Sequence, residues 1–230
     1  MSEAKYLVFD TETTGIDVFN DRIVQLFIAT ADSEGNLLET WEWVIDPGVE
    51  VPEEASNVHG FTTEYLRENG QHPFTAFSEA VDVFTAHANL IWVAYNLGFD
   101  MSVMNSELER YGHTAFWYSH YVLKEWDVAL FDPLVVDRAK DKYRKGKRKL
   151  ENVAAHYSVP FNPDEAHKAD YDVKVTAKVA AAVAKQYGIP SNAEQAEMYK
   201  AWAENFESYL RRTDPDAVVD SDWPLKLKGD

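Results

Sequence analysis

Residues 6–15 read Tyr6-Leu7-Val8-Phe9-Asp10-Thr11-Glu12-Thr13-Thr14-Gly15. The first four residues are apolar and rich in aromatic and β-branched side chains, which predicts a buried strand that ends in a polar turn. Residues two apart in a strand point to the same face, so Asp10 and Glu12 are predicted to lie side by side at its end. Two close carboxylates are stabilised by a hard divalent cation such as Mg²⁺. Taken alone, such a pair is more often a solvated turn or a cap.

The rest of the chain alternates between strand and helix patterns. Further strands are predicted at 23–31, 38–45 and 91–94, with a turn at 33–36 and a loop from Asp46 to about Gly60. Helices are predicted at 74–87, 100–111, 133–143, 149–157, 170–186 and 193–211. Strands first, followed by strand and helix alternation, indicate an α/β domain with a mixed central sheet flanked by helices.

A change in organisation is predicted at Gly188-Ile189-Pro190-Ser191, where one helix stops and Ser191 is suited to cap the next. This divides the chain into a main domain, residues 1–187, and a C-terminal helical extension, residues 188–230. The extension carries one aromatic helical stripe, made of Tyr199, Trp202, Phe206 and Tyr209. Such a stripe is expected to pack on the main domain rather than to bind a partner.

Two more segments carry side chains suited to catalysis. Asn96-Leu97-Gly98-Phe99-Asp100 follows the predicted strand 91–94, and its simplest interpretation is a helix capped by Asp100. His167-Lys168-Ala169-Asp170-Tyr171-Asp172 opens a long helix rich in Ala and Val. His167 is predicted to lie in the entering loop and Asp172 in the first turn or so of the helix. Alone, the histidine is typical of a solvent-facing loop, and the aspartates of a helix N-terminus.

Taken together, these segments resemble the DEDD superfamily of 3′→5′ exonucleases. The resemblance is to its histidine-bearing, DnaQ-like branch, which includes the proofreading ε subunit of bacterial DNA polymerase III. The three family motifs match residues 9–15, 94–100 and 167–172 in the correct order, and residues 51–60 resemble the loop before the family's His-Gly element. The chain has Tyr95-Asn96 where the second motif usually has His-Asn. The family fold is ribonuclease H-like, in agreement with the α/β prediction.

The resemblance implies that Asp10, Glu12, Asp100 and Asp172 hold two divalent metal ions, Mg²⁺ or Mn²⁺, with Asp10 between them. Paired metals activate a water and stabilise the departing 3′-oxygen. The same resemblance implies that His167 is the general base that takes the proton of this water. These five residues are the expected catalytic set.

Substrate contacts are expected around this set. The backbone of Thr13 and Thr14 follows the first strand directly, and the resemblance adds Glu54, His59, Asn96 and Phe99. Phe99 is interpreted either as a base-stacking platform or, with at least equal weight, as a core residue.

The chain has a formal net charge of −17, which is unusual for a protein that handles a polyanion. Bound cations or locally concentrated basic residues would resolve this conflict. The run Arg138 to Lys149, called the basic segment below, holds eight of the 22 Lys and Arg residues in twelve positions. A solvated face is the ordinary interpretation, but against this background the run favours phosphate contact, with Lys145, Lys147 and Arg148 as the candidates.

The composition and the motifs exclude several other kinds of functional site. There is no cysteine, so disulfides, thiolate nucleophiles and cysteine metal sites are excluded. Neither a GxxxxGK[ST] phosphate loop nor a GxGxxG motif is present. The first five residues lack the features of a secretory signal, and the apolar run 90–94 is too short to cross a bilayer. A cytoplasmic protein without membrane association is therefore expected.

Three functions remain open from the sequence. The leading hypothesis is an exonuclease that releases 5′-mononucleotides from single-stranded DNA or frayed 3′ ends. The second is an RNA exonuclease, since relatives on both substrates share the five residues and differ in how they treat a 2′-hydroxyl. The third, ranked lower, is a non-catalytic module that binds a polymerase. Any proofreading would act with a polymerase in trans, and the sequence leaves the oligomeric state undetermined.

Overall fold

The computed structural model describes residues 3–113 and 128–226, which are arranged around a five-stranded mixed sheet. The strand order is β3-β2-β1-β4-β5. The antiparallel part of the sheet consists of β1 (Tyr6–Thr13), β2 (Ile23–Ala31) and β3 (Leu37–Val44). The parallel part adds β4 (Ile91–Val93), which pairs with β1, and β5 (Leu130–Phe131), which pairs with β4. This arrangement confirms the predicted α/β class and the mixed sheet.

Helices cover both faces of the sheet. In chain order they are α1 (Glu53–His59), α2 (Thr63–Asn69), α3 (Pro73–Ala86), α4 (Leu97–Arg110), α5 (Pro133–Lys140), α6 (Leu150–His156), α7 (Ala169–Tyr187) and α8 (Asn192–Leu210). A short 3-10 helix, Pro163–Glu165, precedes α7. None of the helices in the described residues has both the length and the apolar character that a membrane crossing requires.

Alternation along β1 divides the core into two layers. Leu7 and Phe9 belong to the layer that includes residues of α3 and α4, and Phe9 packs edge-on against Phe84 with ring centroids 5.3 Å apart. Tyr6 and Val8 belong to the opposite layer, which is built mainly on the small residues of α7. Because the side-chain period of a strand is two, Asp10 and Glu12 continue on the face that packs against α7.

The C-terminal residues return to the main sheet. Ser191 caps α8 as predicted, and a capping box with Glu194 completes this helix start. Helix α8 contacts α5 and β5. The chain after α8 then crosses back to α4, where Trp223 is 8% exposed within the core and the N–H of Lys226 donates to Ser102 Oγ at 2.8 Å. The division of the chain at residue 188 stays a prediction.

Several predicted boundaries were wrong. The expected loop 46–60 contains α1, and neither α2 nor β5 was predicted. Helix α5 ends at Lys140 rather than at 143. Asp100 does not cap α4, because this helix begins three residues earlier, at Leu97, with Asn96 as its N-cap. The reason is that Asn96 adopts a left-handed conformation, with φ 67° and ψ 45°, which turns the chain directly from the strand into the helix.

Candidate active site

Three carboxylates meet where β1 packs on α7. One ligand oxygen each from Asp10, Glu12 and Asp172 lies within 4.8 Å of the others, and these three residues are called the acidic cluster below. The two strand residues reach this position because they share the β1 face that contacts α7, and Asp172 lies near the start of that helix. The Oδ1 atom of Asp172 is buried and has no hydrogen-bond partner in the part of the chain that the structure describes. The cluster therefore offers oxygen ligands with an unused lone pair to a cation.

Asp100 approaches the acidic cluster from the opposite layer. Thr11 lies between Asp10 and Glu12 but points to the α4 side, where its N–H donates to Asp100 Oδ1 at 3.0 Å and its hydroxyl donates to the same oxygen at 2.7 Å. Both bonds hold a carboxylate that is 3% exposed. Asp100 lies outside the 4.8 Å group, but its charge acts on both Asp10 and Glu12.

Neighbouring carboxylates oppose the ionisation of Asp10 and Glu12. Burial raises the pKa of Asp10, and the charges of Asp100, Glu12 and Asp172 raise it further. Burial, followed by Asp172 and Asp100, raises the pKa of Glu12 to about 8. Burial also raises the pKa of Asp100 to about 7 against the opposing effect of the Thr11 bonds, and it raises the pKa of Asp172. A divalent cation would remove this repulsion, so the donor set fits a metal site.

His167 lies at the rim of the acidic cluster. Its backbone has a positive φ of 63°, its side chain is exposed, and its N–H donates to Asp172 Oδ2 at 3.2 Å. The backbone of the histidine is thus tied to a cluster carboxylate, while the imidazole is left on the solvent side. This is the loop position, ahead of the helix, that was predicted from the sequence.

The predicted substrate residues around β1 occupy different environments. The Thr14 hydroxyl donates to Asp21 Oδ1 at 2.8 Å and accepts the Arg22 N–H at 2.9 Å, so this side chain holds the loop 14–22 together. His59 is 9% exposed and lies against the backbone of Thr13, and burial lowers the pKa of its imidazole. Glu54 is exposed on α1. At the tip of the loop 14–22, Ile16 is 91% exposed, which the sequence alone did not indicate.

At the start of α4 the predicted substrate residues differ in exposure. Asn96 is exposed, whereas Phe99 is half-buried and packs against the α4 layer of the core. A side-chain hydrogen bond connects this segment to the basic segment, since the Tyr95 hydroxyl donates to the carbonyl oxygen of Arg148 at 2.7 Å. This contact is made by the residue at which the chain departs from the family motif.

Within the basic segment the arginines and the lysines have different environments. Arg144 and Arg148 both bind the buried carboxylate of Asp137 at 2.5 Å, and Arg148 also donates to the carbonyl oxygen of Asp141. Lys145 and Lys147 are exposed and make no ion pair with the described residues. The arginines therefore shape the segment, and the lysines remain available to phosphates.

One further buried acid lies beside the site and was not predicted. Asp132 is 1% exposed, caps α5 and accepts backbone N–H groups at the start of α4. Burial raises its pKa to about 6, with the N–H bonds acting in the opposite direction. The Asp-Pro pair at 132–133 is a sequence signal for a helix start, but nothing local indicates the second helix that the carboxylate reaches.

The five-stranded sheet and its flanking helices form a ribonuclease H-like fold, with the acidic cluster and Asp100 beside its central strand β1. A model of the exonuclease family RNase_T matches residues 7–180, and the chain belongs to this family, as its DnaQ-like DEDD motifs predicted. The PolC-type DNA polymerase III of Lacticaseibacillus paracasei is 27% identical over 197 residues, which are 82% of this chain and 12% of that protein. The Streptococcus pyogenes M18 protein of the same name is 29% identical over 180 residues, 78% of this chain and 11% of that protein.

Solved structures show the same fold. Escherichia coli exonuclease I in complex with a dA16 oligonucleotide superimposes with a TM-score of 0.67 at 22% identity, over 80% of this chain and 42% of that one. Exonuclease I from Methylocaldum szegediense gives 0.64 at 21% identity, over 92% and 46% of the two chains. The chain spans only about a tenth of the length of the curated relatives it matches. Within this chain, residues 7–180 are the part that matches the exonuclease family.

Proposed function

We propose that this chain is a metal-dependent 3′→5′ exonuclease. It hydrolyses phosphodiester bonds and releases 5′-mononucleotides from single-stranded or frayed DNA ends. The observation that carries the proposal is the acidic cluster, in which Asp172 Oδ1 is buried and has no hydrogen-bond partner among the described residues. DNA is favoured because the relatives are DNA polymerases and because the exonuclease I structures are complexes with dA16 and dT13. A cytoplasmic role in DNA replication or repair fits this proposal.

Asp10, Glu12, Asp100 and Asp172 would hold two divalent ions, Mg²⁺ or Mn²⁺. When bound, such ions activate water and stabilise the oxygen that leaves. Asp10 lies in the acidic cluster with Glu12 and Asp172, and the charges of the three other carboxylates raise its pKa. Thr11 keeps the Asp100 carboxylate oriented through the two bonds to Oδ1. The side chain of His167 serves as the general base that accepts the proton of the attacking water.

The terminal nucleotide would lie against the end of β1 and the start of α4. The backbone of Thr13 and Thr14, the His59 imidazole and the exposed Asn96 side chain are the contacts that we propose for it. Glu54 and the half-buried Phe99 are included from the family resemblance. The apolar Ile16 side chain is well placed to contact a base because it is exposed at the tip of the loop that follows Thr14.

The strand that leads to this site would follow the basic segment. The hydrogen bond from Tyr95 to the Arg148 carbonyl places this segment next to the second motif. Because Arg148 and Arg144 are bound to Asp137, we assign the phosphate contacts to Lys145 and Lys147 and give Arg148 a supporting role. This local positive charge lets an acidic protein hold a polyanion.

The experiment that tests this function measures nucleotide release from matched 3′-labelled and 5′-labelled single-stranded DNA and RNA, with Mg²⁺, Mn²⁺ or EDTA. We expect metal-dependent mononucleotide release from the 3′ end, and its loss in Asp10→Ala. A higher rate on RNA than on DNA would assign the RNA substrate instead. Intact polymers with every metal would overturn the nuclease proposal and favour a non-catalytic module that binds a polymerase.

The lysine contacts are tested by the salt dependence of binding to single-stranded DNA in an Asp10→Ala background. Replacing both Lys145 and Lys147 by Ala should reduce the slope of log affinity against log salt by about 0.7 for each lost phosphate contact. The matched control replaces the exposed Lys185 and Lys200, which lie on α7 and α8. An equal reduction in both variants would show a general charge effect and would contradict the assignment.

A further inference from the structure

The turn that carries Asn96 to Asp100 needs support from outside its own sequence. Asn96 has a left-handed backbone, and its side chain makes no capping hydrogen bond to α4. The first N–H groups of a helix must find other acceptors when the cap residue does not supply one. An acceptor is therefore needed on a neighbouring element.

Asp132 supplies it. Its Oδ2 accepts the Leu97 N–H at 2.9 Å, and its Oδ1 accepts the Asn96 N–H at 3.3 Å. The same Oδ1 accepts the N–H groups of Leu134 at 2.9 Å and Val135 at 3.4 Å. One buried carboxylate thus closes the N-termini of α4 and α5 together. Both helix dipoles favour a negative charge at this point, which offsets the cost of burying it.

Helix α8 holds Asp132 in turn. The Asp132 N–H donates to Gln195 Oε1 at 2.8 Å, and Gln195 Nε2 donates to the carbonyl oxygens of Leu130 at 2.7 Å and Pro190 at 3.0 Å. Gln195 is fully buried. Asn192 makes a similar pair with β5, accepting the Leu130 N–H and donating to the Val128 carbonyl, both at 2.9 Å. Helix α8 lies beyond residues 7–180 that match the family.

We propose that Asp132 is a positioning residue that fixes the turn at Asn96 and so places Asp100 for metal binding, and that Gln195 of α8 holds Asp132 in place. The proposal rests on the proposed function for its catalytic consequence. It makes α8 part of the support of the active site. Partners that orient metal ligands typically change metal affinity or activity by about 10- to 100-fold when removed.

The test compares Asp132→Asn and Gln195→Ala with two controls. In Asp132→Asn an amide NH₂ faces backbone N–H donors. In Gln195→Ala the hydrogen bond between Asp132 and α8 is lost. Asp32→Asn alters another buried aspartate, which accepts the N–H groups of Glu34 and Asn36 in the turn between β2 and β3. Ser191→Ala removes the capping box of α8 and leaves in place the Asn192 and Gln195 side chains that bond to β5. Mn²⁺ affinity by calorimetry, amide exchange of residues 96–101 without metal, and kcat and KM are measured for each.

We expect Mn²⁺ affinity to fall by about 10- to 100-fold in both test variants, with faster exchange at 96–101 and a loss mainly in kcat. The controls should keep Mn²⁺ affinity within about twofold of wild type, even where their melting temperature is lower. Unchanged affinity in folded Asp132→Asn, or an equal fall in Asp32→Asn, would overturn the proposal. If Asp132→Asn fails to fold, Gln195→Ala decides. Wild-type protein that binds Mn²⁺ but cleaves no nucleic acid would contradict the proposed function and leave the binding test valid.

Discussion

His167 is hydrogen-bonded to the acidic cluster through its backbone, and its side chain is exposed. The N–H of His167 donates to Asp172 Oδ2, so this hydrogen bond does not depend on which side chain residue 167 carries. The left-handed φ of 63° does depend on it, because asparagine tolerates this conformation better than alanine does. A suitable replacement can therefore remove the imidazole while it keeps both the N–H donor and a residue that tolerates the left-handed backbone.

We expect His167→Asn to lower kcat by about 10²- to 10⁴-fold while metal affinity changes little, because the general base is lost and the ligand-holding N–H is kept. His167→Ala should lose a similar factor in kcat and also some thermal stability. Steady-state kinetics and Mn²⁺ calorimetry check both variants. Turnover close to that of wild type in His167→Asn would remove the histidine from the proton-transfer step.

The sequence predicted the positions of those side chains that depend on a local pattern. Alternation in β1 was sufficient to bring Asp10 and Glu12 to one face. Thr11 and Asp132 were not predicted, because their partners, Asp100 and Leu97, lie 89 and 35 positions away in the chain. Long-range hydrogen bonds of this kind leave no periodic signal in the sequence.

At the start of helix α4, Asn96 must adopt a left-handed backbone conformation and is also a predicted substrate contact. Glycine adopts the left-handed conformation freely, whereas alanine there costs roughly 1–2 kcal/mol. We expect Asn96→Gly to unfold in urea close to wild type and Asn96→Ala to be less stable by about 1 kcal/mol. If the Asn96 amide contacts the substrate, Asn96→Gly should also raise KM.

Ser158 is the matched control, since it has a φ of 58° and lies in the turn after α6. Ser158→Gly should leave both stability and KM near their wild-type values. A KM that is unchanged in Asn96→Gly would limit the role of Asn96 to the conformation of the turn.

Long, periodic elements were the ones that the sequence predicted well. The nine-residue β2 and the 19-residue helices α7 and α8 were placed within one or two residues. The two-residue β5 and the seven-residue α1 and α2 were missed, whereas the equally short α6 and the three-residue β4 were predicted at 149–157 and 91–94. The start of α4 was misplaced because the positive φ of Asn96 could not be seen in a pattern of apolar residues.

For the whole molecule, the acidic cluster and Asp100 affect stability as well as catalysis. The folded-state pKa values of Glu12 and Asp100 are raised from 4.5 and 3.8 to about 8 and about 7. Raised folded-state values mean that these groups favour the fold most at pH below about 4, and that this contribution is lost as the pH rises through about 7 to 8. A bound cation reverses the loss by pairing with the ionised carboxylates.

We therefore expect Mg²⁺ or Mn²⁺ to raise the melting temperature more at pH 8 than at pH 5. With EDTA at pH 8, Glu12→Gln should melt higher than wild type, by about 2–4 °C for each kcal/mol of repulsion removed. Thermal melts over this pH range check both effects. Glu39→Gln, on the exposed side of β3, is the control and should change neither. A metal effect that is equal at both pH values would contradict this account.

The amides of Asn192 and Gln195 also affect how the sheet behaves towards other molecules. A strand at the edge of a sheet ordinarily presents free N–H and C=O groups, which can recruit a strand from a second chain. Here the outer edge of β5 is occupied by side chains, which pair with the N–H and carbonyl groups of Leu130. Among the described residues this edge is covered by side chains of α8 rather than by another strand, which would hinder strand addition there.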